Sequence, residues 1–313
     1  MHYQAIVIGS GPAGCTAALY LARANRNPLL ITGLNAGGQL TETSSIENWP
    51  GAFDFPSGLD LMDNMMKHLD KFQVKTLREN VVNVDFNQRP FTIKTTEEEH
   101  SCDVLIVATG SSARFLNLPS EKKFIGNGIS ACATCDGFFY RRKNVAVIGG
   151  GSTAATDAVY LASLATKVHL IHRRSEFRCE KILLDKIYNL AQEGKIILHT
   201  DSTVEEFQGD DFLTGVVIKN LKTQEITTLP VDGVFEAIGH SPNTAFLNGH
   251  LKLSDGYILC GSDKYKSATS VPGVFAAGDV ADKNYQQAIV AAGSGCIAAL
   301  DADHYLATMV SHQ

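Results

Sequence analysis

Short runs of consecutive apolar residues, each closed by a glycine, recur along this chain. Ala5-Ile-Val-Ile8 runs into Gly9, and Val104-Leu-Ile-Val-Ala-Thr runs into Gly110. Val145-Ala-Val-Ile148 runs into Gly149, and Val274-Phe-Ala-Ala277 runs into Gly278. Strands covered on both faces of a parallel sheet read this way, without polar alternation. Two of the glycines open Ala- and Leu-rich stretches of helical length, from about Pro12 to Ala24 and from Ser152 to about Ala165. Strand, glycine turn and helix in that order predict α/β architecture.

Further elements follow from the same pattern. Strands are expected at Pro28–Ile31, Lys167–Ile171, Ile196–His199, Gly215–Ile218 and Val234–Ala237, and helices near Leu59–Phe72 and Lys181–Glu193. Residues 91–102 read as strand then turn, with Glu97-Glu-Glu-His100 as a solvated hairpin tip. The apolar stretch Ala288 to Leu300 is broken by Gly293, Ser294 and Gly295, so it reads as a buried helix and not as a membrane span.

The first glycine turn is Gly9-Ser10-Gly11-Pro12-Ala13-Gly14. Spacing of this kind suits a dinucleotide: a tight turn, close backbone approach to a pyrophosphate, and close helix–strand packing. A glycine turn in an unrelated α/β unit is the competing reading. The next strand ends in Thr32-Gly33 with no Asp or Glu for a ribose hydroxyl, which counts against a plain NAD site. The loop that follows, Gly33-Leu34-Asn35-Ala36-Gly37-Gly38-Gln39, is glycine-rich and suits a larger nucleotide. Two strand ends, Ala108-Thr109-Gly110 and Gly278-Asp279, complete a pattern that favours FAD. Ile46-Glu-Asn48-Trp-Pro50-Gly51 is expected to line the cofactor, with Trp49 in the core.

The second turn is Gly149-Gly-Gly151-Ser152-Thr153-Ala154, with Ala in the third fingerprint place. Its following strand ends in His172-Arg173-Arg174, with Arg178 close by. An NAD site would place an acid there, whereas guanidinium groups suit the 2′-phosphate of NADPH. A solvated basic patch is the alternative.

Between the two turns stands Cys132-Ala-Thr-Cys135-Asp136. A Cys-x-x-Cys beside a strand–helix unit reads as a redox dithiol. Structural zinc usually wants a second Cys/His pair, and His169 and His172 belong to a different element. Asp136 stands where it can move a proton, or where it can cap a turn.

Composition narrows the setting. The 313 residues are 44% hydrophobic and 19% charged with a net charge of −6, which argues against nucleic acid as the main partner. Seven scattered cysteines do not resemble a secreted disulfide framework. The chain enters an apolar strand by Gln4 with no basic leader, which fits a cytoplasmic protein.

Taken together, these stretches resemble the bacterial low-molecular-weight thioredoxin reductases over nearly the whole chain. The matching residues are Gly-Ser-Gly-Pro-Ala-Gly at 9–14, Gly-Gly-Gln at 37–39, Glu-Asn-Trp-Pro-Gly at 47–51, Cys-Ala-Thr-Cys-Asp-Gly at 132–137, His-Arg-Arg at 172–174, Ala-Ile-Gly-His-Ser-Pro-Asn at 237–243 and Gly-Val-Phe-Ala-Ala-Gly-Asp at 273–279. Ser152 departs, standing where the family often has Asn. The resemblance implies two Rossmann-like dinucleotide-binding domains, the second inserted in the first: FAD in 1–112 and 245–313, NADPH and the cysteine pair in 113–244. It implies noncovalent FAD held by residues 32–39, Asn48, Asp279, Val280, Gln286, Gln287 and Ala288, besides the first turn. It further implies a redox disulfide between Cys132 and Cys135, Asp136 as acid/base, thioredoxin as the protein substrate, a homodimer, no metal and no membrane.

Two side-by-side linkers, at Arg114–Pro119 and Ile238–Asn243, permit a rotation that would let one dithiol meet a buried flavin and then a bulky protein disulfide. Competing expectations are a ferredoxin–NADP reductase of the same architecture, which does not need the cysteines, and a non-catalytic flavin sensor, which should lack one electron-transfer part. A peroxiredoxin-reducing flavoprotein would carry an extra N-terminal thiol domain before the first glycine turn.

Overall fold

The computed structural model describes residues 1–42, 46, 48–52, 54 and 57–310; Glu47, in the loop expected to line a cofactor, lies outside the described residues. The chain divides into two compact units, one of Met1–Ser112 with Ser241–Gln313, the other Ala113–His240.

The first unit is built on a seven-stranded sheet. Strand His2–Ile8 lies between Leu29–Ile31 and Glu99–Val107, parallel to both, and Lys75–Leu77 extends the sheet beyond Leu29–Ile31. The long strand Glu99–Val107 serves two neighbours in turn. Its first half pairs antiparallel with Phe91–Thr95, and its second half pairs parallel with Val274–Ala276. Residues 99 and 100 are therefore strand and not hairpin tip, and His100 is buried. His100 opposes Ile93 in the ladder, so its side chain follows the pleat of the strand instead of the polarity of its neighbours.

Helix Pro12–Arg23 packs on this sheet, and the terminal helix Ala288–Val310 crosses it. The crossing is close because Gly295 has no side chain: a Cβ there would lie 2.1 Å from the Ala13 carbonyl oxygen. Ala17, Ala18, Leu21, Ala298, Ala299, Ala302 and Leu306 fill the seam. Small residues on both helices permit this approach, and the same composition made the stretch look broken in sequence.

The second unit has a five-stranded parallel sheet in the order Ile196–His199, Lys167–Ile171, Asn144–Ile148, Gly233–Glu236, Ile129–Ser130. Helices Ser152–Ala162 and Lys181–Gln192 share one core with it. A second core lies between the sheet and a three-stranded antiparallel meander, Ser202–Gly209, Leu213–Asn220 and Ile226–Pro230. Only the middle strand of that meander is predictable from the pattern. The first carries a register shift between Val204 and Glu206, so its buried Val204 and Phe207 stand three apart and period-two alternation fails. In both units the helices with glycine turns begin at the carboxyl ends of parallel strands, where nucleotides bind in open α/β sheets.

Candidate active site

The first turn is shaped by what its glycines omit. Gly9 adopts φ +105°, and a Cβ there would lie 2.3 Å from the Ala108 carbonyl oxygen. A Cβ on Gly14 would lie 1.7 Å from the Gly9 oxygen, whereas one on Gly11 would meet nothing within 4 Å. Gly9 and Gly14 thus serve packing, and Gly11 leaves space above the turn. Helix Pro12–Arg23 starts with no side-chain cap and no acid in its first turn. Its bare amides and positive dipole end suit an anion.

The loop after Ile31 folds back over this turn. The Ser10 hydroxyl donates to the Thr32 carbonyl at 3.1 Å and accepts from the Gly37 amide at 3.0 Å. A Cβ on Gly38 would lie 3.5 Å from Gly11 Cα, so the loop runs close above the turn. Arg78 and Asn80 hold the loop from a third strand end: Arg78 Nε donates to the Leu34 carbonyl and Asn80 Oδ1 accepts from the Leu34 amide. Neither residue is legible as a site residue in sequence, being more than 40 positions from Leu34. Asn35, Ala36 and Gln39 are exposed on the rim.

The remaining residues expected at FAD gather at other strand ends of the same unit. Thr109 and Asn243 bond reciprocally, hydroxyl to backbone carbonyl at 2.8 Å and amide side chain to backbone carbonyl at 2.9 Å. The Gly278 amide donates to Ser294 Oγ at 2.8 Å, which anchors the turn carrying Asp279 and the buried Val280. Burial, then the nearby Asp282, pushes the Asp279 carboxyl up to about 6. Asn48 Nδ2 donates to Gln287 Oε1 at 3.5 Å, just ahead of the helix that starts at Ala288. Gln286 holds a left-handed φ of 45° with its side-chain amide toward Ser111 and Tyr257.

The second turn repeats the logic. Gly149 has φ +150°, and a Cβ there would lie 2.5 Å from the Ala237 carbonyl and 2.7 Å from Ala154 Cβ. Gly151 again faces open space, and helix Ser152–Ala162 again starts with neither cap nor acid. Gly150 has a role the fingerprint does not announce. The His172 imidazole lies directly on it, 2.1 Å from where a Cβ would be. His172 stacks on Phe177 and contacts the Glu176 carbonyl, and burial lowers its pKa. The Arg178 amide donates to the Gly150 carbonyl, bringing that arginine's backbone alongside the turn. Arg173, Arg174 and Arg178 are exposed, and among the described residues none forms an ion pair with a carboxylate. The Glu180 carboxyl is held below its usual range by its own backbone amide and then by Ser152, and Thr153 is exposed. Open glycines, uncapped helix starts and unpaired guanidiniums fit two phosphate-bearing nucleotides, one in each unit.

The cysteines lie in the second unit. Cys132 and Cys135 form a disulfide, with Cα atoms 5.3 Å apart. Cys132 caps the short helix Ala133–Asp136 and accepts the Cys135 amide at its sulfur, 3.2 Å away. Ala133, between the cysteines, is fully buried in the core under the sheet. The Cys132 amide donates to Ser130 Oγ at 3.0 Å, and the Asp136 amide donates to the Cys132 carbonyl at 3.1 Å. Burial raises the Asp136 pKa, and a hydrogen bond from Ser130 opposes the rise. Burial, then Asp136 and Asp232, pushes Tyr140 up to about 12. Phe138 and Phe139 are exposed immediately beyond. The free thiols differ: burial pushes Cys15 up to about 12 and Cys260 up to about 11, so neither is a thiolate at neutral pH.

Residues 3–295 match the family model described as pyridine nucleotide-disulphide oxidoreductase. The chain belongs to that family. A thioredoxin reductase of Escherichia coli O157:H7 is 53% identical over 309 residues, covering 97% of this chain and 96% of its own. A Pseudomonas fluorescens protein named glucosaminate ammonia-lyase is also 53% identical, over 308 residues, with the same coverage. Among solved structures, thioredoxin reductase from Giardia duodenalis superposes with a TM-score of 0.91 at 40% identity, over 98% of this chain and 99% of that one. Family membership makes the protein an oxidoreductase, and its relatives imply the use of a flavin and NADPH.

Proposed function

We propose that the protein is an NADPH-dependent thioredoxin-disulfide reductase that works through FAD and the Cys132–Cys135 pair. The observation that carries this reading is the disulfide itself, formed within Cys-Ala-Thr-Cys-Asp on a unit that also carries an open glycine turn and three unpaired arginines.

When bound, NADPH supplies a hydride and FAD passes the electron pair on to sulfur. The chain's own residues do the rest. The glycine turns and uncapped helix starts receive the two pyrophosphates. Arg173, Arg174 and Arg178 receive the 2′-phosphate, which would set the preference for NADPH over NADH. Once the pair is reduced, one cysteine thiolate attacks the thioredoxin disulfide and forms a mixed disulfide. The second cysteine displaces it, so that the Cys132–Cys135 bond re-forms and thioredoxin leaves as a dithiol. Asp136 moves the proton that thiol and thiolate exchange in these steps. Phe138 and Phe139 offer the incoming protein an apolar contact beside the sulfurs.

Dimerisation through the terminal helix belongs to the same reading. Ile289, Val290, Ile297 and Leu300 leave an apolar stripe on its outer face, which a second copy would cover. A cytoplasmic setting is supported by five unpaired cysteines, and no described helix is long and apolar enough to cross a membrane.

Anaerobic titration of the purified yellow protein with NADPH, followed by oxidised thioredoxin, tests the relay on wild type and Cys135→Ser. Wild type should take up electrons in flavin and disulfide and pass them on, while the variant reduces its flavin but does not turn over. Thioredoxin reduction by the variant at wild-type rate would remove the dithiol from the path. Ammonia release from glucosaminate would favour the activity named for the Pseudomonas relative. That elimination involves no net electron transfer and gives the disulfide no part.

A further inference from the structure

Strands Leu29–Ile31 and Lys75–Leu77 run parallel, with Leu29, Leu30 and Ile31 opposite Lys75, Thr76 and Leu77. The Thr32 amide adds one more rung, donating to the Leu77 carbonyl at 2.9 Å. Beyond that rung, side chains continue the ladder. Asn80 Oδ1 accepts the Leu34 amide at 3.3 Å, and Arg78 Nε donates to the Leu34 carbonyl at 3.0 Å. Both backbone polar groups of Leu34 are thus taken by side chains 44 and 46 positions away along the chain. Asn80 is rooted in turn, its carbonyl accepting the Thr96 amide at 3.0 Å. The far end of the loop is fixed differently. The Gly37 amide donates to Ser10 Oγ, and a Cβ on Gly37 would lie 2.5 Å from Thr41 Cγ2. Asn35 and Ala36, between the two anchors, are exposed.

In a dinucleotide fold the pyrophosphate takes the first helix start. The end of the second strand faces the adenosine ribose, whose hydroxyl an Asp or Glu there would hold. In this chain that strand end is Thr32-Gly33, with no acid. We propose that Arg78 and Asn80 are positioning residues for the adenosine half of FAD: they clamp Leu34, so that a fixed backbone loop takes over the hold that a carboxylate would give. Their role presupposes that the first unit binds FAD. Neither side chain has to touch the nucleotide. Pinned at Leu34 and at Gly37, the loop already lies close above the glycine turn, and binding has less chain to order. With the clamp cut, residues 34–36 can swing between Gly33 at φ +74° and Gly37 at φ +93°, two residues with wide backbone freedom. Ordering them again then costs binding energy. The flavin half lies on the other side of the pyrophosphate and does not feel this loop. Glu79, between the two clamping residues, is buried, and its Oε2 has no hydrogen-bond partner among the described residues. It is the competing source of a ribose carboxylate.

The experiment measures binding and not turnover. Release of FAD from the purified yellow protein is followed by flavin fluorescence after dilution, and the flavin-stripped chain is then titrated with FAD, FMN and ADP. The variants are Arg78→Ala, Asn80→Ala, Asn80→Asp and Glu79→Gln. Arg78→Ala and Asn80→Ala should each weaken FAD and ADP by about three- to tenfold, the range of one net hydrogen bond, and leave FMN unchanged. Asn80→Asp keeps an oxygen that accepts the Leu34 amide and should bind as wild type does. Wild-type affinity for FAD and ADP in both Ala variants, or an equal loss in Asn80→Asp and Asn80→Ala, overturns the clamp. So does a loss of FMN equal to that of FAD, or a matching fall in the melting temperature of the stripped chain, since either would show that the two residues support the fold as a whole. An Arg78→Ala loss that vanishes at about 1 M salt would make that residue a charge on the diphosphate instead. A loss confined to Glu79→Gln would give the ribose to that carboxylate. A purified chain that neither carries nor takes up FAD removes the reading of the first unit, and the clamp's role with it.

Discussion

Glu121 and Glu236 meet at one backbone amide that both carboxyl groups share, each with only 2% of its surface exposed. The Leu116 amide donates to both, at 2.9 Å and 3.0 Å, and the Asn117 amide donates to Glu121 at 2.9 Å. Two buried carboxyls on one donor repel each other as anions, so the pair keeps a proton. Burial, then Glu121, pushes Glu236 up to about 8. A carboxyl whose folded pKa lies above its unfolded value binds more protons in the native state. Its stabilising effect is present below about pH 4.5 and is lost as pH rises through about 8. Glu236→Gln removes that ionisation. We expect thermal melts of the wild type to lose on the order of 2 kcal/mol between pH 6 and pH 9, and melts of the variant to stay nearly flat. Parallel curves for the two proteins would show that the pair does not hold a proton.

The arginines at the end of strand Lys167–Ile171 should discriminate between nucleotides. Arg173→Ala or Arg174→Ala is expected to raise the KM for NADPH about tenfold, the loss of one charge-assisted phosphate contact, and to leave the KM for NADH unchanged. Steady-state kinetics with both nucleotides decides it. An equal loss with NADH would mean that the arginines do not read the 2′-phosphate.

Phe138, half exposed beside the disulfide, should matter to the protein substrate and not to electron delivery. Phe138→Ala is expected to raise the KM for thioredoxin by about tenfold, in line with loss of an aromatic anchor from an interface. Reduction of a small soluble disulfide should proceed at the wild-type rate. If both substrates lose equally, the ring supports the cysteine turn instead of a docked partner.

Two glycines two residues apart on the terminal helix make opposite predictions. A Cβ on Gly295 would meet the Ala13 carbonyl, which is backbone and cannot turn aside, whereas one on Gly293 meets nothing within 4 Å. Gly295→Ala should cost about 1–3 kcal/mol and, by pushing on the first turn of helix Pro12–Arg23, release FAD more readily. Gly293→Ala should be neutral or stabilising by up to about 1 kcal/mol. Melting curves and flavin retention on gel filtration measure both.

Much of this architecture is legible in the sequence because a covered parallel strand must be apolar throughout and the turn after it must contain glycine. Strands Asn144–Ile148 and Lys167–Ile171 stand where those runs place them, and the α/β class follows from their order. Other features depend on partners distant in sequence. Arg78 and Asn80 gain meaning only when Lys75–Leu77 pairs with Leu29–Ile31 and brings them to Leu34. The bulge at Val204 hides a strand from any test of alternation. Glu121 and Glu236 read as ordinary surface acids until the fold buries them together.

Ala133, buried to the last atom between two half-exposed cysteines, fastens the redox turn to the core by a single methyl group. Because the turn is clamped there, the two sulfurs remain neighbours whether or not they are bonded. The effective concentration of the second thiol at a mixed disulfide then far exceeds that of any small thiol in solution. On the proposed relay, a partner caught by one cysteine should be released by the other before bulk thiols can intercept it, and the covalent complex should accumulate only when one of the two sulfurs has been removed.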